Sequence, residues 1–170
     1  MAYAAKGLIF IYPTDTVYGI GCNALIEKSV AKIRRIKRTR HAFSVIAPSK
    51  AWIKKNLVVR KGHEKYIALL PGKYTLILRK KDRNFLKGAS SSGKLGIRMP
   101  ENTFCKMLMR EALPFVTTSA NLSGEKPITS IEGLAEALKG ADFAVDGGKL
   151  KGKASTVIDL TSEKPVILRK

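Results

Sequence analysis

Two segments of the sequence concentrate hydroxyl, amide and carboxylate groups directly after apolar stretches. Residues 12–21 read YPTDTVYGIG and close an apolar stretch over 7–12, while residues 117–124 read TTSANLSG and follow Phe115 and Val116. Ligands of open α/β sheets bind beside the ends of strands, and hydroxyl and amide groups suit an oxyanion or a phosphate. The two segments therefore predict an anion site, and ordinary turn chemistry is the alternative, because turns use the same residue types.

A cluster of cations supports binding of an anion. Residues 28–40 hold seven Lys or Arg and no acidic residue, and the whole chain has 32 Lys+Arg against 13 Asp+Glu, a net charge of +19. Such charge is expected to attract a phosphate-rich ligand or a nucleic acid. Two alternatives remain open, a generally basic proteome and cations that only complement the dipole of a helix ending near Lys37.

Other kinds of chemistry have weaker support. Residues 88–94 match the spacing of a phosphate-binding loop, but Leu95 replaces the Ser or Thr that would hold magnesium, and Gly96 and Pro100 disfavour the required helix. Two histidines and two cysteines, far apart in the sequence, do not form the pattern of a metal site. The sequence also lacks the G-x-S-x-G motif of a hydrolase nucleophile. We therefore predict no metal ligands.

The length and hydropathy of the chain limit its class. With 170 residues, 45% of them hydrophobic, residues 1–170 are predicted to form a single domain. No apolar run reaches the roughly 18–20 residues of a membrane span, and no secretory signal precedes the first apolar stretch. We therefore expect a cytoplasmic protein without membrane contact.

The elements that must position the polar segments alternate along the chain. Helices are predicted over 26–37, 51–57, 64–70, 103–112 and, from the capping box at Thr129 and Glu132, over 131–138. Strands are predicted over 7–12, 43–47, 74–78, 95–99, 114–118, 143–146, 155–160 and 166–169. Only residues 161–165 separate the last two strands, so the pattern favours an α/β domain with a mixed parallel and antiparallel sheet over a doubly wound parallel one.

Six segments, in this order, resemble the YrdC-like family of L-threonylcarbamoyladenylate synthases. They are YPTDTVYGIG (12–21), PGKYT (71–75), GIRMP (96–100), TSANLSG (118–124), STVID (155–159) and VILR (166–169). Each segment alone is a weak signal, but the ordered set is specific and runs through nearly the whole chain.

The resemblance implies the single-domain form of the family, a twisted mixed α/β sheet flanked by helices, with a basic concave cavity. It also implies a nucleotidyltransferase that converts L-threonine, bicarbonate and ATP, accompanied by Mg²⁺, into threonylcarbamoyl-AMP and pyrophosphate. That product serves the threonylcarbamoyladenosine modification of tRNA through separate transfer proteins. Family members also bind double-stranded RNA, so the alternative is a non-catalytic binding protein for tRNA or double-stranded RNA with the same fold.

The resemblance also assigns roles to individual residues. The expected L-threonine contacts are Thr16, Arg98, Thr117 and Ser155. The expected ATP contacts are Lys37, Ser119, Asn121 and Arg169. The family has a Lys-x-Arg element, but the second residue after Lys37 is Thr39, so Arg38 or Arg40 is expected to supply the guanidinium group.

Overall fold

Ten strands assemble into one mixed sheet in the computed structural model, which describes residues 6–134, 138 and 140–170. The strands are β1 (Phe10–Tyr12), β2 (Gly19–Asn23), β3 (Ser44–Ile46), β4 (Leu57–Val58), β5 (Tyr74–Lys80), β6 (Lys94–Arg98), β7 (Phe115–Ser119), β8 (Phe143–Ala144), β9 (Thr156–Asp159) and β10 (Val166–Arg169). Their spatial order is β10-β9-β5-β6-β3-β7-β2-β1-β8, with β4 paired to β5.

The sheet is mixed, as the short connection between the last two strands predicts. The pairs β1–β8, β3–β6 and β5–β9 are parallel, whereas the remaining pairs, including β9–β10, are antiparallel. The described residues also form four α-helices: α1 (Glu27–Lys37), α2 (Lys50–Asn56), α3 (Glu64–Ala68) and α4 (Thr103–Arg110). The predicted mixed α/β class is confirmed.

The two faces of the sheet carry different side chains, because successive residues of a strand point to opposite faces. On one face Val45, Ile97 and Val116 join a large apolar core with side chains of α1, α2 and α3. On the other face a smaller core of Phe10, Tyr12 and Phe115 packs against α4. Polar residues from the same face of the central strands line the candidate site described below.

Two strands, β2 and β4, were not predicted from the sequence. Leu57 of β4 falls within the helix predicted over 51–57, which ends at Asn56 in the structure. Residues 19–23 form β2, which is antiparallel to β1, so residues 13–18 are the connection of a hairpin rather than a long segment after a strand. Glycine is depleted in strands, and the pattern Gly19-x-Gly21 therefore conceals β2 in the sequence. A Cβ atom on Gly21 would lie 2.1 Å from the carbonyl oxygen of Val116, so the close approach of β7 requires a glycine there.

The helix predicted over 131–138 is only partly tested. Ile131–Gly133 form a 3₁₀ turn, and the side chain of the preceding Ser130 makes no capping hydrogen bond. Residues 135–137 and 139 lie outside the described residues. In the described residues the predicted α-helix is thus replaced by a 3₁₀ turn, which ends after Gly133 because Leu134 takes an extended conformation with ψ of 108°.

Candidate functional site

A cavity of about 190 Å³ opens on the sheet face that also carries α4 and its aromatic core. We call it the central cavity. It brings together six of the ten residues singled out from the sequence: Thr16, Arg98, Thr117, Ser119, Ser155 and Arg169. These residues come from the β1–β2 connection, β6, β7, the residue before β9, and β10. Among the described residues, no Asp or Glu lines this cavity.

The strand register explains why these residues converge. Ser44 of β3 pairs with Gly96 of β6 on one side and with Thr117 of β7 on the other. Gly19 of β2 pairs with Ser119 of β7. Paired residues point to the same face of a sheet, so the four strands present one continuous polar surface to the cavity.

Arg98 ties the β1–β2 connection to the end of β6. Its Nη2 donates to Asp15 Oδ1 at 2.9 Å and to Thr16 Oγ1 at 3.2 Å, and Asp15 Oδ2 accepts from the Glu101 amide at 3.0 Å. The side chains of Arg98 and Asp15 are 11% and 5% exposed, so the ion pair is largely buried. Arg98 Nε is buried and makes no hydrogen bond to a described residue, so the guanidinium group retains an unpaired donor.

Arg169 supplies a second guanidinium group from the edge strand. Its Nε donates to the Ser155 carbonyl oxygen at 3.0 Å and its Nη2 donates to Ser155 Oγ at 3.1 Å. The same Ser155 hydroxyl is hydrogen-bonded to Thr75 Oγ1 at 2.8 Å. Burial, and after it the positive charge of Arg98, lowers the pKa of Arg169. Two like charges therefore face one cavity, an arrangement that a bound anion relieves.

Lys37 lies behind the cavity wall and braces the turn that follows β7. Its Nζ, on a residue only 4% exposed, donates to the carbonyl oxygens of Ser119 and Asn121 and to Asn121 Oδ1 at 3.2 Å. Asn121 Oδ1 also accepts from Ser119 Oγ, and Asn121 Nδ2 donates to the carbonyl oxygens of Leu122 and Glu125. Burial lowers the pKa of Lys37 to about 8. Lys37 and Asn121 fix Ser119, which lines the cavity, but do not line it themselves.

The structure does not bring Arg38 and Arg40 to the central cavity. Arg38 ends α1 in the left-handed conformation, with φ of 49°, and both side chains are exposed. Arg40 lines a separate surface groove with Arg34 and Lys87. The left-handed residue turns the chain out of the helix direction, which separates these cations from Lys37. That Arg38 or Arg40 supplies the guanidinium group of the Lys-x-Arg element stays a prediction.

Three hydroxyl residues of the site were not singled out from the sequence: Thr14 and Thr75, which line the central cavity, and Tyr12, which lies behind its wall. Tyr12 donates to Thr117 Oγ1 at 2.7 Å, Thr14 Oγ1 lies 2.9 Å from Thr16 Oγ1, and Thr75 contacts Ser155 as described above. Tyr12, Thr14 and Thr75 all lie inside the segments that carry the family resemblance. The alternation of side chains along a strand was the available signal for two of them. It places Tyr12 on the same face of the sheet as Phe10, and Thr75 on the same face as Ile77.

A second cavity of about 340 Å³, the outer cavity, adjoins the first. The two share Ala42, Ser44, Thr75 and Arg169 in their walls. The outer cavity adds apolar side chains from four strands or their flanks: Phe43, Ile77, Leu95 and Val157. The central cavity suits a ligand of amino-acid size, and together the two reach the range of several hundred Å³ that is typical of larger ligands.

Within the part of the chain that the structure describes, no three His, Cys, Asp or Glu side chains lie close enough to hold a metal ion. No described helix combines the length and apolar character needed to cross a membrane.

Comparison with known proteins relates these features to a family. A family model described as "Telomere recombination", covering Sua5, YciO and YrdC proteins, matches residues 2–170. A Methanocaldococcus jannaschii protein provisionally named a threonylcarbamoyl-AMP synthase is 37% identical over 169 residues, which cover 96% of this chain and 80% of that protein. The threonylcarbamoyl-AMP synthase of Pyrococcus abyssi is 31% identical over 174 residues, 98% of this chain and 51% of that protein.

Solved structures show the same fold. The crystal structure of Pyrococcus abyssi Sua5 complexed with L-threonine superposes with a TM-score of 0.87 at 30% identity, covering 99% of this chain and 52% of that one. Escherichia coli YciO superposes with a TM-score of 0.85 at 28% identity, covering 99% of this chain and 85% of that one. The chain thus spans about half the length of the Pyrococcus protein and most of the length of YciO.

Proposed function

The chain belongs to the Sua5/YciO/YrdC family, and from this we propose that it is an L-threonylcarbamoyladenylate synthase. The observation that carries the proposal is the central cavity, where six residues expected from the family resemblance converge from five separate segments. The synthase names of the Methanocaldococcus and Pyrococcus relatives, and the Pyrococcus structure with L-threonine, support the same activity.

The proposed reaction joins two anions. The threonine amine bonds to the carbon of bicarbonate, and water leaves to give a carbamate. A carbamate oxygen then bonds to the α-phosphorus of ATP, and the bond to the departing pyrophosphate breaks, which makes the enzyme a nucleotidyltransferase. Neutralising charge and aligning the reactants are the main requirements of such a step, and no nucleophilic side chain is needed.

The residues of the central cavity match the needs of the amino acid. We assign the threonine carboxylate to Arg98, whose guanidinium group retains an unpaired donor among the described residues, with Thr16, Thr117 and Ser155 as neighbouring contacts. These three hydroxyl residues are each 3% exposed and therefore held by their surroundings before a ligand binds. A preorganised set of donors costs little to align when charge develops.

We assign the phosphates of ATP to Ser119 and Arg169, with Lys37, Asn121 and one of Arg38 or Arg40 in support. The outer cavity offers the nucleoside an apolar surface and opens into the central cavity beside Arg169. Mg²⁺ is proposed to arrive as the ATP complex. Because no described carboxylate lines the central cavity, its ligands would be phosphate oxygens and water rather than protein side chains.

The proposed cellular role is to supply threonylcarbamoyl-AMP, in the cytoplasm, to proteins that transfer the group to tRNA. The net charge of +19 favours an additional contact with tRNA or double-stranded RNA. A purely RNA-binding protein is the second candidate, because that charge alone explains such binding. The synthase names of the relatives favour the enzyme.

The test is pyrophosphate release from ATP and bicarbonate, measured with L-threonine, with L-serine and with no amino acid. The proposal expects release that depends on L-threonine. A folded protein that releases no pyrophosphate, but binds RNA with a steep salt dependence, would instead support the RNA-binding candidate.

A further inference from the structure

We propose that Tyr12 is a positioning residue that fixes the Thr117 hydroxyl as a hydrogen-bond donor to the substrate in the central cavity. The inference rests on the proposed function, because it concerns the amino-acid part of that site. Tyr12 does not line the cavity and is completely buried, so its effect on a ligand must pass through Thr117.

Tyr12 reaches Thr117 across an intervening strand. Tyr12 lies in β1 and Thr117 in β7, and β2 separates them in the sheet. The side chain passes over the two glycines of β2. A Cβ atom on Gly19 would lie 3.3 Å from Tyr12 Cζ, and one on Gly21 would lie 3.1 Å from the Tyr12 hydroxyl oxygen. The tyrosine side chain therefore occupies the space that side chains at these two positions would otherwise fill.

The direction of the hydrogen bond follows from burial. The Tyr12 hydroxyl has Thr117 Oγ1, at 2.7 Å, as its hydrogen-bond partner among the described residues. If Thr117 were the donor, the Tyr12 proton would be buried without an acceptor, which is costly. Burial also raises the pKa of Tyr12, which keeps its proton in place. Tyr12 therefore donates, and the proton of Thr117 is left to point to a ligand.

The hydroxyl of Thr16, on another wall of the cavity, has the opposite hydrogen-bonding role to that of Thr117. Thr14 donates its proton to the Val17 carbonyl oxygen at 2.7 Å, so its Oγ1 accepts from the Thr16 hydroxyl at 2.9 Å. With its proton used, Thr16 Oγ1 is an acceptor, and Arg98 already donates to it. The cavity thus offers a donor at Thr117 and an acceptor at Thr16. The ligand atom beside Thr117 is accordingly a hydrogen-bond acceptor, such as an oxygen of a carboxylate or a carbamate.

The experiment measures L-threonine affinity by calorimetry, and kcat/KM for threonine-dependent pyrophosphate release, in four proteins: wild type, Tyr12→Phe, Thr117→Val and the double variant. We expect Tyr12→Phe to weaken affinity and lower kcat/KM by about fivefold to tenfold, the effect of one neutral hydrogen bond. In the Thr117→Val background, Tyr12→Phe should cause no further loss, because the hydroxyl on which it acts is gone.

Two further variants separate positioning from stability. Thr117→Ser keeps the hydroxyl and should retain the sensitivity to Tyr12→Phe. Tyr66→Phe, on α3 beside the His63 ring, removes a tyrosine hydroxyl elsewhere and should leave both readouts unchanged.

Wild-type affinity and kcat/KM in folded Tyr12→Phe, or additive losses in the double variant, would overturn the inference and leave the proposed function standing. A wild-type protein that neither binds L-threonine nor releases pyrophosphate would overturn both. Should Tyr12→Phe fail to fold, Thr117→Val decides the matter: wild-type affinity there contradicts a donor at Thr117.

Discussion

The buried amino group of Lys37 makes the free energy of unfolding depend on pH, and we expect that free energy to increase in mildly alkaline solution. The group is buried among the carbonyl oxygens of Ser119 and Asn121 and the side-chain oxygen of Asn121. Burial lowers its pKa from 10.5 to about 8. Lys37→Met keeps the aliphatic stem and removes the ionisable group, so comparing the two proteins isolates its contribution.

The direction of the change in stability with pH follows from the number of protons that the folded and unfolded states bind. The pKa in the folded state lies below that in the unfolded state, so between pH 8 and pH 10.5 the unfolded chain binds a proton that the folded protein has lost. The free energy of unfolding therefore rises with pH in this window. At about 1.4 kcal/mol for each pKa unit, the gain of wild type over Lys37→Met between pH 7.5 and pH 10 is about 2 kcal/mol.

The assay is urea unfolding of both proteins at pH 7.5, 9 and 10, followed by circular dichroism. Lys54→Met, which removes an exposed lysine of α2, corrects for the change in overall charge. At pH 7.5 Lys37→Met should itself be less stable than wild type by about 2 kcal/mol, because buried acceptors lose their donor. A stability difference that stays constant or shrinks as the pH rises would refute the reasoning.

The same group tests the assignment of Lys37 to ATP. A phosphate beside the ammonium would raise its pKa, so ATP binding at pH 8.5 should take up protons in wild type and not in Lys37→Met. Calorimetry in buffers of different ionisation enthalpy measures this uptake. Equal heats in all buffers would show that Lys37 only braces Ser119.

Two further predictions concern the proposed site. Arg98→Ala should abolish threonine-dependent pyrophosphate release and lower the free energy of unfolding by about 3 kcal/mol, because Asp15 stays buried without its ion-pair partner; urea unfolding that matches wild type would argue against the buried pair. Replacing both Ser119 and Asn121 by alanine should greatly reduce turnover in a pyrophosphate assay, and full activity would refute their assignment while leaving the function intact.

Much of the fold could be predicted from local patterns. The apolar residues of α1 recur at helical spacing, and Val30 and Ile33 are buried as that spacing indicates. The strands β3, β6 and β7 stand out because short apolar runs end at polar residues or proline. The strand β2 could not be predicted in this way, since its glycines are selected by the close approach of Val116 and by the Tyr12 ring.

The site was predicted in its parts but not in its arrangement. The polar segments that contain Thr16 and Thr117 indicated an anion site, and the family resemblance added Arg98. The sheet register brings the three together. Lys37 braces Ser119 and Asn121, which lie 82 and 84 positions after it in the chain. No local sequence pattern connects residues so far apart. Local spacing was likewise unable to show that Arg38 turns away from the cavity, because this depends on one left-handed backbone angle.

The most direct test of the proposed synthase activity is mass spectrometry of the nucleotide product formed from ATP, L-threonine and ¹³C-bicarbonate. The proposed reaction transfers the bicarbonate carbon into threonylcarbamoyl-AMP, so we expect a product one mass unit heavier than that from unlabelled bicarbonate. If folded protein yields no nucleotide carrying both threonine and the labelled carbon, the chain is not a threonylcarbamoyladenylate synthase.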